Sequence, residues 1–326
     1  MTEKISVIIP LYNKGSEIER TLNSVIQQTF QNFEIIIVDD HSDDEGLAIV
    51  KNFSDPRITI IEQEHRGVSF TRNHGVNLAT SDFIAFLDAD DEWMPKHLET
   101  IFRLIKKYPH AGMYTTAYKI QTPDGKTRWA NYKCIPNPPW EGLIPDYFKP
   151  ISLGDHIINS SQVVIPKKIF YDVGGFPEGY WYGEDIDLFG KIALKYPIAF
   201  SWELGGIYHE DALIRARHKN LPLDYQEPFI STARIALMNG EVPQELTESL
   251  IEYIWRMESQ RAIYNLRVGN SSVALNIFKQ CDTKWHHNER LIWLLLARLP
   301  PPLYLFIRDV RQNVKKIVRK NKSPDN

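Results

Sequence analysis

The sequence predicts an α/β fold whose sheet is mostly parallel and flanked by helices, followed by a helical C-terminal region. Short, mostly apolar runs alternate with helix-like patterns in the first part of the chain, polar residues follow most of these runs, and the composition turns helical from about residue 228. Wholly apolar strands that alternate with helices are typical of parallel sheets covered on both faces. We therefore expect a first domain at 1–225 and a helical region at 226–326.

Strands and helices are predicted to alternate along the first domain. Four apolar runs predict the parallel strands, at residues 5–10, 34–38, 57–61 and 83–87. The first helix is predicted from one apolar face, formed by Ile18, Leu22, Val25 and Ile26. A later helix is expected at 68–79, and mixed strands with long loops rich in Pro and Trp begin near residue 111. Because ligands in α/β sheets bind beyond the carboxyl ends of the strands, we expect the site at that edge.

The fourth apolar run ends in four acidic residues, Asp88, Asp90, Asp91 and Glu92. Like charges at this spacing repel one another, so a cation or a set of hydrogen bonds must compensate them. Alternate residues of an extended chain face the same side, which allows Asp88 and Asp90 to bind one ligand. Asp39 and Asp40 follow the second strand and reach the same edge. The sequence therefore predicts a positively charged ligand at this edge of the sheet.

The sequence also argues against several classes of ligand site. The turn after the first strand, PLYNKG at 10–15, has neither the glycine pattern of dinucleotide-binding proteins nor a P-loop. The diphosphate of a bound nucleotide would need another partner, and a metal held by the carboxylate pair is the candidate. Cys134 and Cys281 lack a zinc-binding spacing and are expected to be free thiols. Because residues 290–326 carry +7 of a net charge of -3, residues 1–289 carry -10, and so acidic a body argues against nucleic acid as a partner.

Six segments together resemble one enzyme family. They are VIIPLYN at 7–13, IIIVDD at 35–40, GVSFTRNHG at 67–75, FLDADD at 86–91, GGF at 174–176 and GEDIDLFGKI at 183–192. In this order and spacing they resemble the inverting glycosyltransferases of family 2. The resemblance covers about the first 215 residues and implies a GT-A fold, a UDP-sugar donor and a divalent metal, Mn²⁺ or Mg²⁺.

The resemblance implies six donor-binding residues, which are Pro10, Tyr12, Asp39, Arg72, Asp88 and Asp90. Pro10 and Tyr12 are expected to border the nucleotide base, and Asp39 to form a hydrogen bond with it. Asp88 is expected to contact the ribose and Asp90 to bind the metal. In the same way, Arg72 is expected near the nucleotide.

Structural roles are the alternatives for three of the acidic or basic residues. Asp39 is a common residue type in the turn after a strand. The alternative for Arg72 is that it forms an ion pair on the surface. The alternative for Asp91 is that it caps the following helix, because MPKHLETIFRLIKKY beyond it is predicted to be helical.

The segment WYGED at 181–185 is expected to hold the catalytic base. The resemblance implies that Asp185 is this base. Trp181, Tyr182 and Glu184 are expected to bind the acceptor, since aromatic faces suit sugar rings. Core packing is the alternative for the two aromatic residues, and a carboxylate in the first turn of a helix is the alternative for Glu184 and Asp187.

His209 lies where some members of the family have a histidine that completes the metal or diphosphate site. We expect it to bind the metal together with Asp90. A hydrogen-bonded loop histidine is the alternative, and Arg215 or Arg217 is then expected to bind the diphosphate.

The C-terminal tail is strongly basic. Residues 290–326 contain nine Lys and Arg against two Asp. The apolar stretch at 291–307 is interrupted by three consecutive prolines and is too short for a membrane-spanning helix. Apolar residues at helical spacing among the basic ones predict a helix that lies on an anionic membrane, and a helix packed on the catalytic domain is the alternative. No signal-peptide pattern occurs, so we expect a cytoplasmic protein on the inner face of the membrane.

These features lead to one predicted function and two alternatives. We expect an inverting, metal-dependent glycosyltransferase of hexosyltransferase type, which moves a sugar from a UDP-sugar to a saccharide or lipid-linked saccharide in bacterial surface polysaccharide assembly. The alternatives are a metal-dependent phosphohydrolase and a non-catalytic sugar-nucleotide binder. No motif specifies the sugar, the acceptor or the oligomeric state.

Overall fold

The structure, a computed structural model, describes residues 4–180, 182–212, 225–300 and 303–304. Within these ranges ten strands form a single sheet, in the order β3-β2-β1-β4-β9-β6-β10-β5, with β7 paired to β6 and β8 paired to β10. The strands are β1 Ile5–Leu11, β2 Phe33–Asp39, β3 Ile58–Glu62, β4 Phe83–Phe86, β5 Glu92–Trp93, β6 Met113–Gln121, β7 Thr127–Trp129, β8 Glu141–Ile144, β9 Val163–Pro166 and β10 Ile198–His209. The predicted α/β fold is confirmed.

Strand direction brings many loops to one edge of the sheet. The pairs β1–β2, β1–β4 and β2–β3 are parallel, as is β6–β10. The strand β9 is antiparallel to both β4 and β6 and lies between them. Two reversals restore the original direction, so β6 and β10 run the same way as the first four strands. The carboxyl ends of all six therefore meet at the same edge.

Helices cover the sheet and make up the C-terminal region of the described chain. They are α1 Ile18–Ile26, α2 Gly46–Lys51, α3 Val68–Leu78, α4 His97–Lys107, α5 Phe148–Leu153, α6 Lys167–Asp172, α7 Glu184–Ala193, α8 Pro228–Asn239, α9 Gln244–Arg267, α10 Ser271–Gln280 and α11 His287–Leu296. A short 3₁₀ turn at Ser160–Gln162 precedes β9. No helix in the described ranges is long and apolar enough to cross a membrane.

Alternation along β1 explains how both faces of the sheet are covered. Ile5, Val7 and Ile9 join the buried side of α1 in one apolar cluster. Ile8 points to the other face, where a Cβ on Gly75 of α3 would lie only 2.5 Å from its Cγ2. Each fully buried aliphatic side chain contributes about 1.5–3 kcal/mol. Because Gly75 lacks a side chain, α3 packs closely on the strands.

The described chain separates into two compact units. The first contains residues 4–180, 182–212 and 227–246, and the second contains 225–226 with 247–300 and 303–304. In the second unit, Phe278 of α10 stacks on Trp293 of α11 at a centroid distance of 6.0 Å. The buried carboxylate of Glu252 accepts hydrogen bonds from the turn before α11. Helix α8 thus lies in the first unit, and the predicted domain division at residue 225 stays a prediction.

Helix α7 and helix α8 pack at a glycine. A Cβ on Gly190 would lie 2.2 Å from a ring carbon of Phe229. The Phe229 ring is itself stacked on Phe148 of α5, with 5.7 Å between centroids and 7° between planes. The ring therefore has little freedom to move away, and α7 is held in place along its buried side.

We expect Gly190→Ala to lower the free energy of unfolding by about 1–3 kcal/mol, because overpacking against the Phe229 ring outweighs the better helix propensity of alanine. Urea unfolding followed by circular dichroism measures this change. In a Phe229→Leu background the same substitution should cost much less, because the ring is gone. Equal costs in the two backgrounds would contradict this account of the packing.

Candidate active site

The first side of the site lies where β1 and β2 end. Leu11 pairs with Asp39 across these strands, so Tyr12 directly follows the partner of Asp39. The Tyr12 side chain is 41% exposed, and its ring stacks on His65 with 4.4 Å between centroids. Pro10, one residue before Leu11, is partly exposed and pairs with Val38. An exposed aromatic ring is thus placed beside a carboxylate.

The Asp39 carboxylate has one oxygen in a turn and one without a partner. Its Oδ2 accepts a hydrogen bond from the Ser42 N–H at 3.2 Å. Its Oδ1 is buried and accepts no hydrogen bond from any described residue. A buried acceptor without a donor is costly, so this oxygen is suited to bind an N–H group of a ligand. Asp39 therefore has the turn role that was the alternative expectation, but only one of its two carboxylate oxygens takes part in the turn.

Asp40 has a different task from Asp39. Its carboxylate accepts the N–H groups of Arg66 and Gly67, each at 2.8 Å. These bonds fix the residues that precede α3, and Gly67 has a positive φ of 87° that a residue with a Cβ adopts only with strain. Asp40 thus holds the start of the helix that carries Arg72.

Arg72 joins two segments that are far apart in sequence. Its Nη2 donates to Asp88 Oδ1 at 2.7 Å, and its Nη1 donates to Glu184 Oε1 at 2.9 Å. The side chain is buried, so the alternative of a surface ion pair is wrong. Burial alone would lower the pKa of Arg72, but the charges of Asp88 and Glu184 outweigh it and raise the pKa.

Glu184 and Asp185 begin α7, directly after Gly183, whose φ is 75°. Glu184 is buried, whereas Asp185 keeps part of its side chain exposed. Burial raises the pKa of both carboxyl groups, and the charge of Asp185 raises the pKa of Glu184 further. A carboxylate with raised proton affinity and partial exposure is suited to accept a proton from a ligand.

Asp187 lies in the same first turn but serves the fold. It is buried, accepts the Thr232 hydroxyl of α8 at 2.9 Å and pairs with Lys191 at 2.5 Å. This agrees with its expected role as a carboxylate of the first helical turn. Tyr182 is half-buried beside the site, and Trp181 lies outside the described residues. The acceptor-binding roles expected for Trp181, Tyr182 and Glu184 stay predictions.

Tyr147 is a buried residue within electrostatic range of Asp185, a proximity that the sequence did not indicate. It precedes α5, its side chain is buried, and its hydroxyl has no hydrogen-bond partner among the described residues. Burial raises its pKa, and the negative charge of Asp185 raises it further, so the two groups lie within electrostatic range. No local sequence pattern indicates that Tyr147 lies near Asp185, because 38 positions separate the two residues and no motif surrounds Tyr147.

The acidic cluster after β4 contains a partly exposed member, Asp88, and two buried members, Asp90 and Asp91. Asp88 has a side chain that is 27% exposed, and Asp90 pairs with Lys14 at 2.7 Å. Asp91 is fully buried and accepts the His209 N–H at 2.8 Å and the Ser161 hydroxyl at 2.5 Å. The helix-cap alternative for Asp91 is wrong, because α4 begins only at His97.

His209 ends β10 and is enclosed by two other carboxylates. Its Nε2 lies 3.1 Å from Glu92 and its Nδ1 lies 3.1 Å from Asp211. The hydrogen bond from His209 is the main cause that lowers the pKa of Glu92. The metal-binding role of His209 stays a prediction, and Arg215 and Arg217 lie outside the described residues.

A divalent metal fits this site only together with a ligand. In the described part of the chain, no three His, Cys, Asp or Glu side chains form a cluster that could hold a metal ion by itself. Mg²⁺, however, is usually bound by one or two carboxylates plus the phosphates of a substrate. Asp88 and Asp90 supply hard oxygen atoms at the end of one strand, which suits that arrangement.

Comparison with known proteins gives consistent results. Residues 6–164 match the family model described as glycosyl transferase family 2. The chain is 41% identical over 105 residues to the uncharacterized glycosyltransferase YibD of Escherichia coli (strain K12), which is 32% of this chain and 30% of YibD. It is 37% identical over 111 residues to the Escherichia coli UDP-Glc:alpha-D-GlcNAc-diphosphoundecaprenol beta-1,3-glucosyltransferase WfgD, which is 34% of this chain and 44% of WfgD. The matches thus span less than half of each relative.

The fold is also similar to that of a solved structure. The crystal structure of S. aureus TarS 1–349 in complex with UDP-GlcNAc superposes with a TM-score of 0.65. The similarity covers 99% of this chain and 93% of that one, at 20% sequence identity. This likeness confirms the predicted GT-A fold.

We expect Asp185→Asn to stabilise the folded protein at pH 8, because it removes a carboxyl group whose pKa is raised by burial. The raised pKa means that the folded state binds this proton more tightly than the unfolded state. The unaltered protein therefore loses stability as the pH rises through the unfolded pKa, and the loss is complete above the folded pKa. Urea unfolding between pH 4 and pH 8 should show the gain from the substitution increasing with pH.

Asp187→Asn is the matched control for this experiment, because Asp187 lies in the same turn and is paired with Lys191 and Thr232. It should lose stability instead. A gain that is the same at pH 4 and pH 8, or a loss in Asp185→Asn, would show that the Asp185 carboxylate carries no electrostatic cost.

Proposed function

We propose that the chain, whose residues 6–164 match the model of glycosyl transferase family 2, is a member of that family and transfers a sugar from a UDP-sugar to a saccharide or lipid-linked saccharide acceptor, with inversion at the anomeric carbon. The names of relatives support this class of reaction. WfgD is named for a UDP-Glc donor and a diphosphoundecaprenol-linked acceptor, and TarS is described in complex with UDP-GlcNAc.

One observation carries the proposal, and it is the double hydrogen bond of Arg72. A single buried guanidinium holds Asp88, at the end of β4, and Glu184, at the start of α7. The same cation thus links the strand end that carries the proposed donor-side carboxylate to the helix start that carries the proposed base, Asp185. An inverting transfer needs a base close to the donor site, because the base must act on the face of the sugar opposite to the leaving diphosphate.

We propose partners for the uracil, the ribose and the diphosphate of a UDP-sugar. The unpaired oxygen of Asp39 would accept the ring N–H of uracil, and the exposed ring of Tyr12 would stack on the base. Asp88 would contact the ribose, and Asp90 and His209 would hold a divalent cation, Mn²⁺ or Mg²⁺, jointly with the diphosphate. When bound, that cation supplies positive charge to the leaving diphosphate.

The acceptor side depends on proton removal. A sugar hydroxyl is a weak nucleophile until a positioned base takes its proton. Asp185 is partly exposed and has a raised pKa, which suits it to receive this proton. The hydroxyl oxygen forms the new bond to the anomeric carbon as the bond to UDP breaks, and UDP leaves without a proton from the protein. Tyr182, Trp181 and Glu184 are proposed to hold the acceptor.

We expect Asp185→Asn to reduce transfer on the order of 10²-fold or more while UDP still binds, because it removes a general base and leaves the donor side intact. Product formation from a panel of UDP-sugars, followed by NMR of the anomeric carbon, measures this. Asp187→Asn should keep its transfer rate per folded molecule. A product with retained configuration, or near-normal transfer by Asp185→Asn, would contradict the assignment.

The same assay separates the alternatives. Release of inorganic phosphate without sugar transfer would indicate a phosphohydrolase. Binding of UDP-sugar without turnover, in the presence of metal and of saccharide acceptors, would indicate a non-catalytic binder.

The C-terminal region is proposed to bring the enzyme to the inner face of an anionic membrane in the cytoplasm. The described part of α11 has exposed apolar side chains, with Leu291 45%, Ile292 57% and Leu295 62% exposed. The basic sequence that follows, at 305–326, lies outside the described residues. Apolar surface beside basic residues suits binding in the plane of an anionic bilayer.

We expect removal of residues 301–326 to release the protein from anionic liposomes, and higher salt to weaken binding of the intact chain, because the attraction is partly screened. Liposome sedimentation measures both effects, with neutral liposomes as the control. Equal sedimentation of the shortened and intact chains would reject membrane binding by the tail. Unfolding of the shortened chain would favour the packed-helix alternative.

A further inference from the structure

Lys119 and Trp129 form an exposed pair on the hairpin of β6 and β7. The two residues lie directly opposite each other in the antiparallel pairing of these strands. Trp129 is 47% exposed, and the Lys119 Nζ lies 5.1 Å from the centre of its ring. An aromatic surface and a positive charge are thus presented to solvent side by side.

The register of the sheet places this pair on the same face as His209. Lys119 lies opposite Ile207 of β10, which in turn lies opposite Glu92 of β5. Side chains of directly opposed residues share a face, as do those of residues two positions apart in one strand. The hydrogen-bond distance of 3.1 Å between His209 and Glu92 agrees with this assignment. Because neighbouring strands are about 4.8 Å apart, β7 lies roughly 10 Å from β10, a distance that a short saccharide spans.

Hydrogen bonds fix the hairpin on both of its faces. On the face of the pair, the Thr127 hydroxyl donates to the Gln121 side chain at 2.7 Å. On the other face, Arg128 pairs with Asp155 at 2.7 Å, and the same carboxylate accepts the N–H of Asn131 at 2.9 Å. A ligand that binds the pair therefore meets a backbone that is already ordered, which lowers the entropic cost of binding.

The hairpin is basic although the body of the chain is acidic. Residues 119–133 contain four Lys or Arg against one Asp, whereas residues 1–289 as a whole carry -10. Lys119 forms no ion pair with any residue that the structure describes. An anionic ligand is therefore attracted to this hairpin and repelled by the carboxylates elsewhere along the edge.

We propose that Lys119 and Trp129 form a subsite for the lipid-linked acceptor. A sugar ring packs on the exposed indole, whose apolar face suits it, and the ammonium pairs with the diphosphate that joins the saccharide to its lipid. This inference rests on the proposed function, since it takes a lipid-linked saccharide as the acceptor. The charged linkage, and not the saccharide alone, then distinguishes the acceptor.

Isothermal titration calorimetry on the intact chain with saturating UDP and Mg²⁺ tests the role of the charge without turnover. The probes are a panel of hexoses carried on an octyl diphosphate, and the octyl glycosides of the same hexoses, which lack the diphosphate. The unaltered protein should bind at least one charged probe at least about fivefold more tightly than its glycoside, as expected for one hydrogen bond to a charged group. Lys119→Met should remove this preference and leave the affinity for the glycoside unchanged, whereas Lys119→Arg should keep the preference.

The role of the indole is tested with the same probes. Trp129→Ala should weaken binding of both probes by about fivefold, and Trp129→Phe should recover part of the loss. Trp129→Leu also lacks the aromatic face and keeps the test decisive should Trp129→Ala fail to fold. Tyr171→Ala is the matched control and should bind both probes normally. Tyr171 is 48% exposed with the Lys167 ammonium 5.9 Å from its ring centre, but it follows β9 and so lies at the opposite edge of the sheet.

The subsite is refuted if no charged probe binds more tightly than its glycoside, if Lys119→Met keeps the preference, or if Trp129→Ala binds as Tyr171→Ala does. Sugar transfer is measured separately, and both variants should raise the KM of the charged acceptor and leave the KM of the UDP-sugar unchanged. Transfer with unaltered acceptor KM in both variants overturns the subsite alone. The predicted binding without any transfer by the unaltered protein would support the subsite and count against the proposed function.

Discussion

The candidate site depends on one buried positive charge, the guanidinium of Arg72. It lies between Asp88 and Glu184, and Asp185 is next along the chain. Three carboxylates so close together would repel one another strongly without it. Removing one member of a buried ion pair typically costs 3–5 kcal/mol, because the remaining charge is left without compensation. The proposed donor side and the proposed acceptor side are therefore parts of one electrostatic unit and not two separate sites.

The position of this unit follows from the order of the strands. The antiparallel strand β9 lies between β4 and β6, and the 3₁₀ turn before it brings Ser161 to the carboxyl edge. The Ser161 hydroxyl bonds to Asp91, and the same oxygen accepts the N–H of Asp88 at 3.2 Å. One serine thus fixes the loop that carries Asp88 and Asp90. The reversal of strand direction is what makes this contact available.

Local patterns in the sequence predict the strands and helices well, because apolar periodicity is a property of neighbouring residues. The first four strands, α1 and α3 lie within two residues of their predicted positions, and the acidic cluster lies at the predicted edge. The contacts between distant residues, which distinguish the roles of individual side chains, are harder to predict from the sequence. Lys14 and Asp90 are 76 positions apart, and Arg72 and Glu184 are 112 positions apart. Such pairs depend on the register of the whole sheet, and no short pattern encodes it.

The acidic edge of the sheet has a consequence for the order of events in a catalytic cycle. Most of its carboxylates, including Asp40, Asp91 and Glu184, are engaged by groups of the protein, but they keep their negative field. In the proposed reaction the nucleotide arrives as a diphosphate diester and departs as a monoester, which carries about one more negative charge near neutral pH. The field therefore repels the product more than the substrate. The same carboxylates that assemble the site would hasten the departure of the spent nucleotide, and inhibition by accumulated product would be relieved.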